Sequence, residues 1–122
     1  MLHILLVEDN LKYVRLLESV IEDADSWKIT HAANLKQALA CLEQGTFDIV
    51  ISDLFLPDSQ GLDSIARIQE KCPQIPIVFL TAMDDPNIRQ QALERGAKCY
   101  LLKDQIVESL IPTVQEVLAT SS

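Results

Sequence analysis

Several polar residues in this chain could do chemistry together, and each directly follows an apolar run. Glu8 and Asp9 follow the first run, Asp53 the third, Thr81 the fourth and Lys103 the fifth. If the acids meet, two of their charges about 4 Å apart repel by about 4 kcal/mol at an effective dielectric of 20, so the cluster needs a cation. Carboxylates suit a hard divalent ion such as Mg²⁺, and lysine and threonine can neutralise a phosphoryl group that is transferred to a carboxylate.

These side chains can meet only if the apolar runs are parallel strands whose ends share one edge of a sheet. Short apolar runs alternate with helical segments five times, and the predicted strands are residues 3–7, 27–33, 47–52, 75–80 and 98–102. Near-continuous apolar strands between helices predict an α/β fold with a parallel sheet covered on both faces. We predict a doubly wound five-stranded sheet in the order 2-1-3-4-5, a flavodoxin-like three-layer sandwich with its ligand site beyond the strand ends.

The sequence also predicts details of the first and last helices. The first helix has its predicted inward side at Leu11, Val14, Leu17, Val20 and Ile21. The last helix, from Ile106 to about Leu118, contains Pro112, which removes a backbone donor. This proline predicts either a kink or a start delayed to near Ser109, and the sequence does not choose between them.

Composition predicts the class of protein. The 122 residues suit one domain, spanning residues 1–122, and no apolar run approaches the roughly 20 residues of a membrane helix. The net charge of −8 argues against direct binding to nucleic acid or to acidic membranes. The start lacks the features of a secretory signal, and three cysteines without C-x-x-C spacing suggest reduced thiols. We therefore expect a soluble cytoplasmic protein.

In this order and at these strand ends, the polar residues resemble the receiver domains of two-component response regulators, from end to end of the chain. The resemblance implies that Asp53 accepts a phosphoryl group. It implies that Glu8, Asp9 and Asp53, with the backbone carbonyl of Phe55, hold Mg²⁺. It also implies that Lys103 pairs with the phosphoryl group.

The resemblance extends to the residues that transmit the signal. It implies that Thr81 is the switch hydroxyl and Tyr100 the switch aromatic. The segment from Asp53 to Gly61 is similar to the loop that follows the family's acceptor, and Gly96-Ala97 to its turn before the fifth strand. Many receivers have a proline after the lysine, whereas this chain has Asp104, which leaves the path into the last helix open.

The resemblance implies a signalling module, not an enzyme. The phosphoryl donor would be a histidine kinase or a histidine phosphotransfer protein. The intrinsic activities would be phosphotransfer to itself and slow autodephosphorylation, because the apolar Phe55 and Met83 cannot orient a water molecule. The fourth and fifth helices could form a homodimer. Output would pass through protein contact or an effector domain, and the sequence leaves open whether the chain stands alone or belongs to a longer regulator.

Two other functions remain to be weighed. A phosphohydrolase of the haloacid dehalogenase class also uses a strand-end Asp with Mg²⁺, but Phe55 stands where its second acid would be. A flavin-binding module would need phosphate-binding donors after the first strand, where residues 8–10 are acidic or amide. His3 and His31 lie in predicted strands, so we expect structural roles for both rather than a phosphohistidine role.

Overall fold

The computed structural model describes residues 2–22, 26–59 and 62–120, and in these ranges strands and helices alternate. The elements are β1 (Leu2–Val7), α1 (Leu11–Glu22), β2 (Trp27–Ala32), α2 (Leu35–Gln44), β3 (Ile49–Asp53), α3 (Asp63–Lys71), β4 (Ile77–Thr81), α4 (Pro86–Glu94), β5 (Cys99–Leu102), a 3₁₀ turn (Lys103–Gln105) and α5 (Ile106–Thr120). The described strands form one parallel sheet in the order β2-β1-β3-β4-β5. The predicted fold class and strand order are therefore confirmed.

Helices cover both faces of the sheet because successive strand residues point to opposite faces and both sets are apolar here. Helices α1 and α5 pack on one face, in a cluster that includes Val14, Leu17, Leu110 and Val114. The other face carries α2, α3 and α4, with a cluster that includes Ala38, Ile65, Ile68 and Ala92. Every residue of β3 and β4 is buried. The two central strands are thus fixed from both sides, and so are the residues at their ends.

The described ends of β3 and β4 differ from the predicted ones. Asp53 is the last residue of β3 and Thr81 the last of β4, whereas the predicted strands stop one residue earlier. Both residues pair in register with the next strand, Asp53 with Leu80 and Thr81 with Leu102. Their backbones are therefore held by the sheet and do not belong to the loops.

The prediction that Leu11 lies on the inward side of the first helix is wrong, and one of the two alternatives for the last helix is excluded. Leu11 is 55% exposed, because it begins α1 at the rim of the sheet, and the buried side starts at Val14. The start of α5 is not delayed to Ser109, since the helix begins at Ile106 and runs through Pro112. Ile106 and Leu110 are buried against the sheet, and this packing stabilises the first turns of the helix.

No helix within residues 2–22, 26–59 and 62–120 is both long and apolar enough to span a membrane.

Candidate functional site

Three carboxylates meet at the carboxyl edge of the sheet. Glu8 follows Val7, which pairs with Ser52, so Glu8 lies level with Asp53 on the neighbouring strand. Glu8, Asp9 and Asp53 each offer one carboxylate oxygen, and these oxygens lie within 4.8 Å of one another. Glu8 is 0% exposed and Asp53 5%, whereas Asp9 is exposed. The cluster is thus buried on the side of the sheet and open to solvent at Asp9.

Lys103 brings a positive charge to this cluster from the turn after β5. Its Nζ donates a hydrogen bond to Asp53 Oδ2 at 2.9 Å and lies 2.8 Å from Glu8 Oε1. The contact with Glu8 is an ion pair between two largely buried charges. The side chain of Lys103 is 11% exposed. One largely buried ammonium therefore serves two buried carboxylates.

Backbone groups hold the same carboxylates from the other side. The N–H of Phe55 donates to Asp53 Oδ1 at 3.2 Å, and the N–H of Asn10 donates to Glu8 Oε2 at 3.4 Å. With Lys103 on Oδ2, both oxygens of Asp53 have a donor. These contacts fix the orientation of Asp53, while the side chain of Phe55 is 57% exposed.

The crowding of these charges changes their pKa values. Burial, and after it the nearby Asp53, raise the pKa of Glu8 to about 7, while Lys103 acts in the opposite direction. Burial by itself would lower the pKa of Lys103, but Glu8 and Asp53 outweigh it and the net pKa is raised. Lys103 therefore stays charged, and near neutral pH the cluster still holds part of a proton.

The donor set fits a hard divalent cation. The cluster provides oxygen ligands alone, and when all three acids are ionised, Lys103 leaves an excess of two negative charges. Asp9 is exposed, so one side of this donor set is open to solvent and to an ion. Few carboxylates with one open side suit Mg²⁺, which keeps several water molecules in its octahedral shell.

Thr81 lies at the same edge of the sheet, and its hydroxyl is hydrogen-bonded to the loop after β4. The residue is 5% exposed, and its Oγ1 donates to the carbonyl of Met83 at 3.0 Å and accepts from the N–H of Met83 at 3.2 Å. Met83 itself is 62% exposed. Within the described residues, the hydrogen bonds of the hydroxyl thus go to the loop after β4.

Tyr100 is half-buried on β5 and interacts with α4. Its ring lies beside Phe79, with centroids 5.9 Å apart, and its hydroxyl accepts a hydrogen bond from Arg89 Nη1 at 2.7 Å. The guanidinium of Arg89 also lies 4.8 Å from the centre of the ring and 3.7 Å from Asp84. Arg89 was not predicted from the sequence, and no local pattern pairs it with Tyr100.

The sequence did not predict the contacts of three further residues. The ring of Tyr13 on α1 lies 4.5 Å from Lys103 Nζ. His31 Nε2 donates to the backbone carbonyl of Glu8 at 2.7 Å, which gives this histidine a structural contact beneath the cluster. Asp58, in the loop after β3, binds the backbone of α2. Residues 60 and 61, at the end of the segment from Asp53 to Gly61 that resembles the family's loop, lie outside the described residues.

Comparison with known proteins identifies the family. A family model described as the response regulator receiver domain matches residues 4–115. The transcriptional regulatory proteins CitT and YdfI of Bacillus subtilis (strain 168) are each 34% identical, over 84% and 94% of this chain. The chain therefore belongs to the response regulator receiver domain family, as the sequence motifs predicted. It spans about half the length of these two relatives, 46% of CitT and 54% of YdfI.

A solved structure of similar length gives the same result. The chemotaxis protein CheY4 of Vibrio cholerae is 29% identical, with a TM-score of 0.85 over 96% of this chain and 98% of the other. The two chains therefore share one fold over nearly their whole lengths. Receiver domains are signalling modules, so the comparisons favour this class over the phosphohydrolase and the flavin-binding module.

Proposed function

We propose that this protein is a phosphorylation-dependent switch that accepts a phosphoryl group on Asp53. The observation that supports it most is the arrangement at the edge of the sheet, where Asp53 lies with Glu8 and Asp9 within 4.8 Å and is hydrogen-bonded to Lys103 at 2.9 Å. A carboxylate so placed is accessible to a donor through the open side at Asp9. The phosphoryl donor is a phosphohistidine of a histidine kinase or of a histidine phosphotransfer protein.

In the transfer, one carboxylate oxygen of Asp53 forms a bond to phosphorus while the phosphorus–nitrogen bond of the donor histidine breaks. The released imidazole takes up a proton from water. Lys103 pairs with a phosphoryl oxygen and the N–H of Phe55 holds the acceptor in place. Glu8, Asp9, Asp53 and the carbonyl of Phe55 would hold Mg²⁺, which offsets the charge of the acids and of the phosphoryl oxygens.

The switch itself rests on the residues beside the acceptor. Phosphorylation replaces one negative charge with a charge nearer −2 at neutral pH. Thr81 then exchanges its bonds to Met83 for a bond to the new oxygens, and Tyr100 leaves Arg89 for the space that Thr81 vacates. The result is a shift between two packings of the surface formed by α4, β5 and α5.

The signal passes to a partner through the surface formed by α4, β5 and α5. Val107 on α5 is 65% exposed and Leu93 on α4 is 41% exposed, so the surface can bind a protein or a second copy of the chain. Protein contact would serve a chain that acts alone, and an attached effector domain would serve one that is part of a longer regulator. We propose that the protein works in the cytoplasm, where its kinase would supply the phosphoryl group, and that its dephosphorylation is slow.

The experiment that tests this function is labelling with acetyl phosphate in the presence of Mg²⁺, followed by intact-mass measurement. The wild type should gain the mass of one phosphoryl group. The variant Asp53→Asn should gain none, because its amide is not a nucleophile. Omitting Mg²⁺, or adding a chelator, should abolish labelling of the wild type.

A matched control is Asp63→Asn, which removes an exposed acid from the first turn of α3, outside the cluster. This variant should label at the wild-type rate. Full labelling of Asp53→Asn would show that another residue is the acceptor. A wild type that gains no phosphoryl group from acetyl phosphate or from a phosphorylated histidine phosphotransfer protein would overturn the function.

A further inference from the structure

The ammonium of Lys103 has a third neighbour besides the two acids. Its Nζ lies over the ring of Tyr13, 4.5 Å from the ring centre. Tyr13 belongs to α1 and is half-buried against the cluster that joins α1 to α5. Helix α1 therefore supplies one wall of the space that Lys103 occupies.

A ring face at this distance attracts a cation, because the face of an aromatic ring carries negative charge density. The attraction is larger when the cation is withdrawn from water, and the side chain of Lys103 is 11% exposed. Glu8 and Asp53 pull the same ammonium toward the sheet, at 2.8 and 2.9 Å. The lysine is thus held between two anions and a ring, which restricts a side chain that otherwise has four rotatable bonds.

We propose that Tyr13 is a positioning residue for Lys103, whose ring face keeps the ammonium at the acceptor during phosphoryl transfer. This inference rests on the proposed function of Asp53. The ring remains in place when the charges around Lys103 change, as they do when a phosphoryl group arrives. Tyr13 thus holds the amine near the acceptor while the amine exchanges a carboxylate partner for a phosphoryl oxygen.

The ring face, not the hydroxyl, is the part of Tyr13 that the proposal requires. Tyr13→Phe keeps the ring and Tyr13→Leu removes it while retaining apolar volume. Leu16→Ala is a matched control for lost packing, because Leu16 is also on α1 and half-buried against the same cluster. Lys12 Nζ lies 5.8 Å from the centre of the same ring, but its side chain is exposed, so Lys12→Ala should change little.

The test measures the rate of labelling of Asp53 by acetyl phosphate at saturating Mg²⁺. Tyr13→Leu should slow labelling by about 3- to 30-fold, the range that an attraction of this kind covers. Tyr13→Phe should restore the rate to within about twofold of the wild type. Leu16→Ala should keep the rate even where its midpoint of urea unfolding falls as far as that of Tyr13→Leu.

A double-mutant cycle with Lys103→Met shows whether the effect passes through the lysine. In the Lys103→Met background, Tyr13→Leu should change the residual labelling rate by less than about twofold. Urea unfolding of the same four proteins gives a second measurement that does not depend on phosphorylation. There, Tyr13→Leu should lower the midpoint more in the presence of Lys103 than in its absence.

Three outcomes would overturn the proposal: wild-type labelling by Tyr13→Leu, no rescue by Tyr13→Phe, or an equal effect of Tyr13→Leu with and without Lys103. Failure of the proposed function looks different, since the wild type and Asp53→Asn would then label alike. Coupling in urea unfolding would in that case still report the contact between the ring and the amine.

Discussion

Two aspartates five residues apart, Asp53 at the end of β3 and Asp58 in the loop that follows, have opposite surroundings. Asp53 is buried among other acids and is held by one lysine and one weak backbone contact. Asp58 is exposed, and its two oxygens accept hydrogen bonds from the N–H groups of Leu35 at 2.8 Å and Lys36 at 3.0 Å. Asp58 therefore caps the first turn of α2, where the positive end of the helix favours a negative charge.

The difference between the two surroundings lies in how far neighbouring donors satisfy each carboxylate. Slight burial tends to raise the pKa of Asp58, but the backbone donors of α2 and the charge of Arg67 outweigh it, so its pKa is lowered. In the acidic cluster around Asp53, burial is the largest of the causes that raise the pKa of Glu8 to about 7. Two backbone donors and Arg67 stabilise the charge of Asp58, whereas three acids crowd together around Asp53 with one lysine between two of them.

The largest expected effect concerns the pH dependence of stability through Glu8. The pKa of Glu8 is raised from 4.5 to about 7 in the folded state. The stabilisation that the protonated Glu8 provides is therefore complete below about pH 4.5 and is lost as the pH rises through about 7. Without divalent cations, the wild type should lose a few kcal/mol of unfolding free energy over this window relative to Glu8→Gln. Urea unfolding at pH 5 and pH 8 measures the difference.

The same unfolding measurement with Mg²⁺ present gives a second test. Saturating Mg²⁺ should remove most of the loss at pH 8, because the cation stabilises the ionised acids. Identical pH dependence of the wild type and Glu8→Gln would contradict the shifted pKa of Glu8.

The next effect concerns cation affinity, which should depend on the acids of the cluster and not on Asp58. Asp9→Asn removes one charge from the three carboxylates and should weaken Mg²⁺ binding by about tenfold or more. Asp58→Asn should leave the affinity unchanged. Isothermal titration calorimetry measures both, and an unchanged dissociation constant in Asp9→Asn would place that residue outside the ion's ligands.

The smallest effect concerns the cap of α2. Asp58→Ala should lower the unfolding free energy by about 1 kcal/mol, which is typical of a lost helix cap, without slowing the labelling of Asp53. Because the pKa of Asp58 is lowered in the folded state, its contribution is present above its ordinary value near 3.8 and is lost as pH falls through the folded value. The unfolding free energies of the wild type and Asp58→Ala should therefore converge as the pH falls into the acid range. A difference that stays constant with pH would contradict a stabilising role for the charge of Asp58.

The sequence was sufficient for the features that follow from periodicity. Apolar runs between helices predict parallel strands, and parallel strands place their carboxyl ends at one edge, so the meeting of Glu8, Asp53 and Lys103 followed from the strand order. Their chemical roles stay predictions until Asp53 is labelled. The extension of β3 and β4 by one residue was missed, because hydrogen bonding to a neighbouring strand decides where a strand ends.

The features that were missed depend on distances across the fold. Which amine lies over Tyr13, and which helix Asp58 caps, is decided by how α1, α2 and α5 pack, and no spacing in the sequence encodes it. The same holds for Arg89 and Tyr100, which meet between α4 and β5. The exposure of Leu11 was missed because the helical period continues past the point where the sheet ends.

The parallel order of the strands also has a consequence for synthesis of the chain. The first acids are made near residue 8 and the acceptor at residue 53, but the amine that faces them is made only at residue 103. A nascent chain on the ribosome that is shorter than this has its negative charges without their counterion. Incomplete translation products that end before Lys103 therefore lack the ion pairs that hold Glu8 and Asp53 together in the folded protein.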